Sequence, residues 1–148
     1  ANNISSAYLV RDKFSNSYVL ESDLYLYNQD LIRKYEYHSN FLGFKVDRTD
    51  DWCLEIKNGI ITKEKVGGLD CYQMCGISYY DKETGKQMEK DIKEVFMSPG
   101  GKERYWEQVM LDIRKNNYKI YLRECKREDI IEIDTFNELK AIDKTYDV

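Results

Sequence analysis

Asn58-Gly59 limits what this chain can become more than any other pair in it. Both residues tolerate the positive φ angles of a two-residue primed turn, and such a turn joins antiparallel strands. Apolar residues alternate on either side, Leu54 and Ile56 before the pair and Ile60 after it, so the pattern predicts a hairpin over 52–66. Two more β-prone runs, residues 18–23 and 41–47, each end on an acid, Asp23 and Asp47, and a further strand is expected over 71–80.

Helical periodicity sets in afterwards. Met88, Ile92, Val95 and Phe96 recur at helical spacing, and Ser98-Pro99-Gly100-Gly101 stops that run, which predicts a helix over 84–97. Tyr105, Trp106, Val109, Met110 and Ile113 predict a second helix over 102–113. Strands are expected over 118–125 and 130–134. Thr135-Phe136-Asn137-Glu138 then matches a capping box that opens a last helix. Strands interleaved with helices make the class α/β. With no repeat, no low-complexity stretch and a single proline, residues 1–148 read as one unit.

Composition excludes several functions. The net charge is −4, from 23 basic and 27 acidic side chains, and no basic stripe is present to follow a nucleic-acid backbone. No apolar run approaches the roughly 20 residues that a bilayer requires. Neither nucleic acid nor membrane is therefore expected as a partner, and the chain reads as soluble. Cys53, Cys71, Cys75 and Cys125 sit in apolar stretches with no C-x-x-C pair, so free thiols in a reducing, cytoplasmic setting are expected in place of zinc or disulfides. Thirteen tyrosines exceed what a core of this size needs, which leaves rings to line a cleft.

Two acids stand at strand ends, Asp23 after Tyr-Val-Leu-Glu-Ser and Asp134 after Ile-Ile-Glu-Ile. Ligands of open α/β sheets bind beyond the carboxyl ends of strands, so the two carboxylates can face one site and hold Mg2+ together with substrate phosphates. The plainer alternative is that each acid only ends a strand or caps a helix.

The string Asn2-Asn3-Ile4-Ser5-Ser6-Ala7-Tyr8-Leu9-Val10 and the run Asn16-Ser17-Tyr18-Val19-Leu20-Glu21-Ser22-Asp23 resemble the middle of bacterial CTP:phosphocholine cytidylyltransferases. Asp51-Trp52, Cys75-Gly76-Ile77-Ser78-Tyr79-Tyr80-Asp81, Tyr105-Trp106-Glu107 and Ile131-Glu132-Ile133-Asp134-Thr135 follow in that family's order. The resemblance implies the fold of the sugar-phosphate nucleotidyltransferases and magnesium-dependent nucleotidyl transfer, with CTP and phosphocholine as substrates. Here the fold would be a partial Rossmann-like mixed sheet flanked by helices. Asp23 and Asp134 would be the metal ligands and the catalytic acids, and the family's D-x-D reads Glu21-Ser22-Asp23 here. Trp52, Tyr105 and Glu132 would hold the cationic head of the acceptor, with Tyr80, Trp106 and Glu107 as weaker additions, and Asn3 and Ser6 would face the nucleotide. Ring faces beside a carboxylate suit a quaternary ammonium, which has no hydrogen to donate. Tyr80 and Trp106 are equally readable as core side chains.

The family's glycine-rich loop, of the form L-A-A-G-x-G-x-R, does not occur, and neither Gly67-Gly68 nor Gly100-Gly101 opens a helix after a buried strand. The expectation is a C-terminal portion of the domain without its N-terminal nucleotide-binding βαβ units, inactive by itself, with an exposed sheet edge through which a homodimer could form. Cytidylylation of 2-aminoethylphosphonate or of a sugar phosphate, and a non-catalytic binding module, are the alternatives.

Overall fold

The computed structural model describes residues 2–146. In chain order its elements are α1 (Ile4–Leu9), β1 (Ser17–Leu20), β2 (Leu24–Leu26), β3 (Asn40–Lys57), β4 (Ile60–Tyr80), α2 (Lys82–Met97), β5 (Tyr121–Glu124), β6 (Ile130–Glu132) and α3 (Phe136–Ile142). Asn58 and Gly59 take φ angles of 52° and 78°, and the tight turn they make joins β3 to β4. The hairpin is far longer than the predicted 52–66. The runs at 41–47 and 71–80 are its outer ends, on β3 and β4 respectively, and the polar residues 48–51 continue β3 through a bulge between Thr49 and Trp52. Several register shifts bend the pair so sharply that Cys53 neighbours both Lys65 and Gln73.

The central sheet has the order β1-β4-β3-β5, antiparallel except where β3 runs parallel to β5, and β2 pairs with β6 in a separate two-stranded sheet. This is the α/β class that the pattern predicts and the mixed sheet flanked by helices that the resemblance implies. Alternation along a strand sends neighbours to opposite faces. Phe41 accordingly joins the core formed with Met88, Ile92 and Val95 of α2, Ile4 of α1 and Trp106, while Leu42 joins Leu31, Cys75, Ile77 and Cys125 on the other side.

Helix α2 begins at Lys82, two residues before its predicted start, because the side chain of Asp81 accepts the Thr84 amide at 2.8 Å and so serves as N-cap. The helix predicted over 102–113 does not form as one piece. Residues 101–103 make a 3-10 turn, Arg104 is extended (ψ 154°), and helical structure resumes in a π turn at Val109–Ile113. The Trp106 amide donates to Asn3 Oδ1 at 3.0 Å instead of to a helical carbonyl, so a tertiary contact overrides local preference here. The capping box at Thr135 and Glu138 forms as predicted.

One expectation about the cysteines is corrected. Cys53 and Cys71 are joined as a cross-strand disulfide with their Cα atoms 6.2 Å apart, brought together by the bend in the hairpin, while Cys75 and Cys125 are buried free thiols. Among the described residues no helix is long and apolar enough to cross a membrane.

Candidate active site

Pairing of β2 with β6 decides where the acids lie. Leu24 stands opposite Glu132, and the Asp23 carbonyl accepts the Ile133 amide at 2.8 Å, so the ends of both strands arrive together. Glu21, just past β1, is tied to β4 by its amide, which donates to the Gly76 carbonyl at 3.0 Å. Side-chain oxygens of Glu21, Asp23 and Glu132 then lie within 4.8 Å of one another. Ser22 and Asp23 form the turn between β1 and β2, and this turn sets Asp23 beside Glu21.

Asp134 ends up beside this group but outside it. Its amide donates to Glu138 Oε2 at 2.9 Å, in the cap of α3, and its carboxylate is exposed. The group of three therefore contains Asp23 as predicted, Glu132 where the sequence suggests Asp134, and Glu21 in addition. Burial pushes the Glu21 carboxyl above its ordinary range, and the charges of Asp23 and Asp51 push it further. Glu132 is raised by the same cause first and then by Asp134, Asp23, Glu21 and Asp51. Crowded carboxylates that repel one another favour a bound cation, and three hard oxygen donors suit magnesium.

On one side of the three acids opens a cavity of about 220 Å³. Trp52 and Tyr105 form its aromatic wall, their ring centroids 5.4 Å apart and their planes at 69°. Glu107 forms part of its lining and is only 3% exposed; burial, followed by a smaller contribution from Glu21, pushes its carboxyl up to about 7. Asp51, Met74 and Gly76 complete this wall. On the other side lies a cleft of about 400 Å³ that contains Asn3, Ser6, Ser22 and Asp23. Glu21 and Asn3 line both spaces, so the carboxylates stand at the junction. A larger depression of about 480 Å³ shares Glu21, Met74, Gly76 and Glu132 with the first cavity and extends past Tyr27, Phe44 and Arg127.

The structure thus gathers Trp52, Tyr105, Glu107 and Glu132 around one cavity and puts Asn3 and Ser6 in the adjoining cleft. It does not bring Tyr80 to either. Tyr80 is fully buried, packed against Phe14 and Trp106, as the core reading anticipates. Trp106 is largely core as well, in contact with Phe14 and Phe41. Tyr105 and Glu107 line the cavity, whereas Trp106 between them, its amide held by Asn3, packs against the core. Sequence reading misses Asp51 and Gly76 as lining residues, although each belongs to a block singled out for its neighbour.

No family model matches the chain. It is 26% identical over 148 residues to a choline-phosphate cytidylyltransferase of Streptococcus pneumoniae, an alignment covering 97% of this chain and 62% of that protein. It is also 26% identical to a 2-aminoethylphosphonate cytidylyltransferase of Lancefieldella rimae, over 98% of this chain and 60% of the relative. These relatives are cytidylyltransferases. The solved structure of the CTP:phosphocholine cytidylyltransferase of S. pneumoniae superposes with a TM-score of 0.83 at 24% identity, covering 97% of this chain and 63% of that one, and shows the same fold. The chain thus spans about three fifths of the length of the relatives it matches.

Proposed function

We propose that this chain forms the metal- and acceptor-binding part of a cytidylyltransferase that moves CMP from CTP onto phosphocholine, giving CDP-choline and pyrophosphate. The observation that carries this reading is the position of Glu21, Asp23 and Glu132 at the junction of an aromatic, acid-lined cavity and a second cleft. Similarity to cytidylyltransferases over nearly the whole chain supports the reaction class.

In that reaction an oxygen of the acceptor phosphate forms a bond to the α-phosphorus of CTP, the bond from that phosphorus to the bridging oxygen breaks, and pyrophosphate leaves with the electron pair. The protein forms no covalent bond. Its work is placement, and most of its rate effect comes from orienting the two phosphates and offsetting their repulsion. Glu21, Asp23 and Glu132 would hold Mg2+, which when bound supplies positive charge to the phosphates. Trp52 and Tyr105 present ring surface to the trimethylammonium head, worth about 0.5 to 2 kcal/mol for each well-placed ring, and the Glu107 carboxyl lines the same cavity. Asn3 and Ser6 face the cleft on the nucleotide side.

A primary ammonium, as in 2-aminoethylphosphonate, is the second reading, favoured by the carboxylates of Asp51, Glu107 and Glu132 around the same space. Its three donors would take those oxygens directly and gain less from the rings. Calorimetry of each acceptor with the chain and Mg2+, without CTP, tests both. Tighter binding of phosphocholine is expected. Equal or better binding of the aminophosphonate would move the assignment to it, and phosphocholine binding that is undiminished when Mg2+ is removed would leave a binding module.

Tyr80→Phe separates core from site. Because the ring is sealed from the cavity and its hydroxyl makes no well-formed hydrogen bond among the described residues, we expect phosphocholine affinity to stay within about twofold and stability within about 1 kcal/mol. Calorimetry and urea denaturation measure the two, and a tenfold loss of affinity would return Tyr80 to the site.

A further inference from the structure

We propose that Asp51 is a specificity-determining residue of this site, a carboxylate clasped beside Trp52 by Thr49 and Gln73 that selects acceptors whose head carries positive charge. The inference rests on the acceptor reading above and adds to it the residue that reads the charge.

Residues next to each other on a strand point to opposite faces, so Asp51 and Trp52 should not line one cavity. They do, because the hairpin carries a bulge between them and Thr49. Thr49 pairs with Gly68 and Trp52 with Val66, which sets three steps on β3 against two on β4. The extra residue breaks the alternation and turns Asp51 toward the side that Trp52 faces.

A closed set of hydrogen bonds then fixes the carboxylate. The Asp51 amide donates to Thr49 Oγ1 at 3.1 Å, the Thr49 hydroxyl donates to Gln73 Oε1 at 2.9 Å, and Gln73 Nε2 donates to Asp51 Oδ2 at 3.1 Å. The remaining oxygen, Oδ1, accepts the Trp52 amide at 2.7 Å. Every donor in this set is neutral, and among the described residues Asp51 forms no salt bridge, whereas the neighbouring Asp50 pairs with Arg48. The arrangement orients the charge without cancelling it. That charge reaches the site, since Asp51 is among the groups that push up the carboxyls of both Glu21 and Glu132.

Two acceptors of one shape separate this role from simple packing: phosphocholine, and 3,3-dimethylbutyl phosphate, in which carbon replaces the quaternary nitrogen. Both fill the space beside Trp52 and Tyr105, but only the first feels Asp51. Binding is measured by calorimetry with Mg2+ and without CTP, so the outcome does not depend on turnover. The chain itself should prefer phosphocholine by about tenfold or more, from cation–π contact with the two rings together with the charge of Asp51, which is exposed to solvent. Asp51→Asn should weaken phosphocholine by about threefold to fivefold, the range of a charge contact open to solvent, and the isostere by less than about 1.5-fold. Asp51→Glu, which keeps the charge, should retain most of the preference, and equal melting temperatures show that each variant folds. Loss of both acceptors alike, or an undiminished preference in Asp51→Asn, overturns the role of Asp51 while leaving the acceptor reading standing. An unaltered chain that binds the two acceptors equally overturns the acceptor reading and this inference together.

Discussion

Alanine at position 76 is expected to weaken divalent-cation binding by tenfold or more, to the order of 100-fold, the range seen when a residue supporting a metal ligand is changed. Gly76 adopts φ +60°, and a Cβ atom built there would run into the carboxylate of Glu21, whose amide is already bound to the Gly76 carbonyl. The colliding atoms are the far end of a flexible side chain, so the strand can keep its course while Glu21 swings away from Asp23 and Glu132. Adopting a positive φ without glycine costs roughly 1 to 3 kcal/mol of stability. Mn2+ serves as probe, followed by electron paramagnetic resonance, with urea denaturation for stability. Unchanged Mn2+ affinity would show that Glu21 is not a ligand.

The second large effect concerns stability against pH. Glu64 is buried at 7% exposure, and among the described residues neither of its carboxylate oxygens has a hydrogen-bond partner; the Oε2 atom of nearby Glu107 also lacks one there. Burial pushes Glu64 from its ordinary 4.5 up to about 8, and the charges of Glu107 and Asp112 add to the effect. The folded chain therefore holds a proton between about 4.5 and 8 that the unfolded chain has released. Stability is greatest below the lower value, falls as pH rises through this window, and levels off above the upper one. Each pH unit within it weighs about 1.4 kcal/mol, and after allowance for relaxation of the buried group the whole window is on the order of 3 kcal/mol. Glu64→Gln cannot release a proton and should lose that slope, so its advantage over the unaltered chain should grow from pH 5 to pH 8.5. Urea denaturation at three pH values measures this, and parallel pH profiles for the two proteins would contradict it.

The features legible in the sequence were those set by local chemistry. Asn58-Gly59 announces its turn through backbone preference alone, Met88, Ile92 and Val95 announce α2 through periodicity, and Thr135 with Glu138 announces the cap of α3. What escaped depends on contacts between distant residues. The hairpin is long because bulges let one strand bend where the pattern suggests two, and the same bulge brings Asp51 into the cavity against the period-2 rule. The helix expected over 102–113 is interrupted by a hydrogen bond to Asn3, about a hundred residues away in sequence. Cys53 and Cys71 meet only because the hairpin folds back.

The candidate site divides along the same line. Asp23, Trp52, Tyr105 and Glu132 were visible as acids at strand ends and rings in blocks of family character, and they surround one junction. Glu21 was visible only as the first acid of the Glu21-Ser22-Asp23 pattern. Its contribution depends on the absence of a side chain at Gly76, which a one-dimensional pattern does not carry. Tyr80 shows the reverse case, with suitable chemistry at a position that packing turns to another use, while the exposed carboxylate of Asp134 lies next to the group of three without joining it.

The most direct test is a crystal structure of the chain soaked with Mn2+ and phosphocholine, read by anomalous scattering from the metal. An anomalous peak is expected at about 2.0 to 2.3 Å from oxygens of Glu21, Asp23 and Glu132, with the trimethylammonium group against the rings of Trp52 and Tyr105. A peak bound elsewhere, or a choline head lodged outside the Trp52 and Tyr105 cavity, would contradict the proposed site.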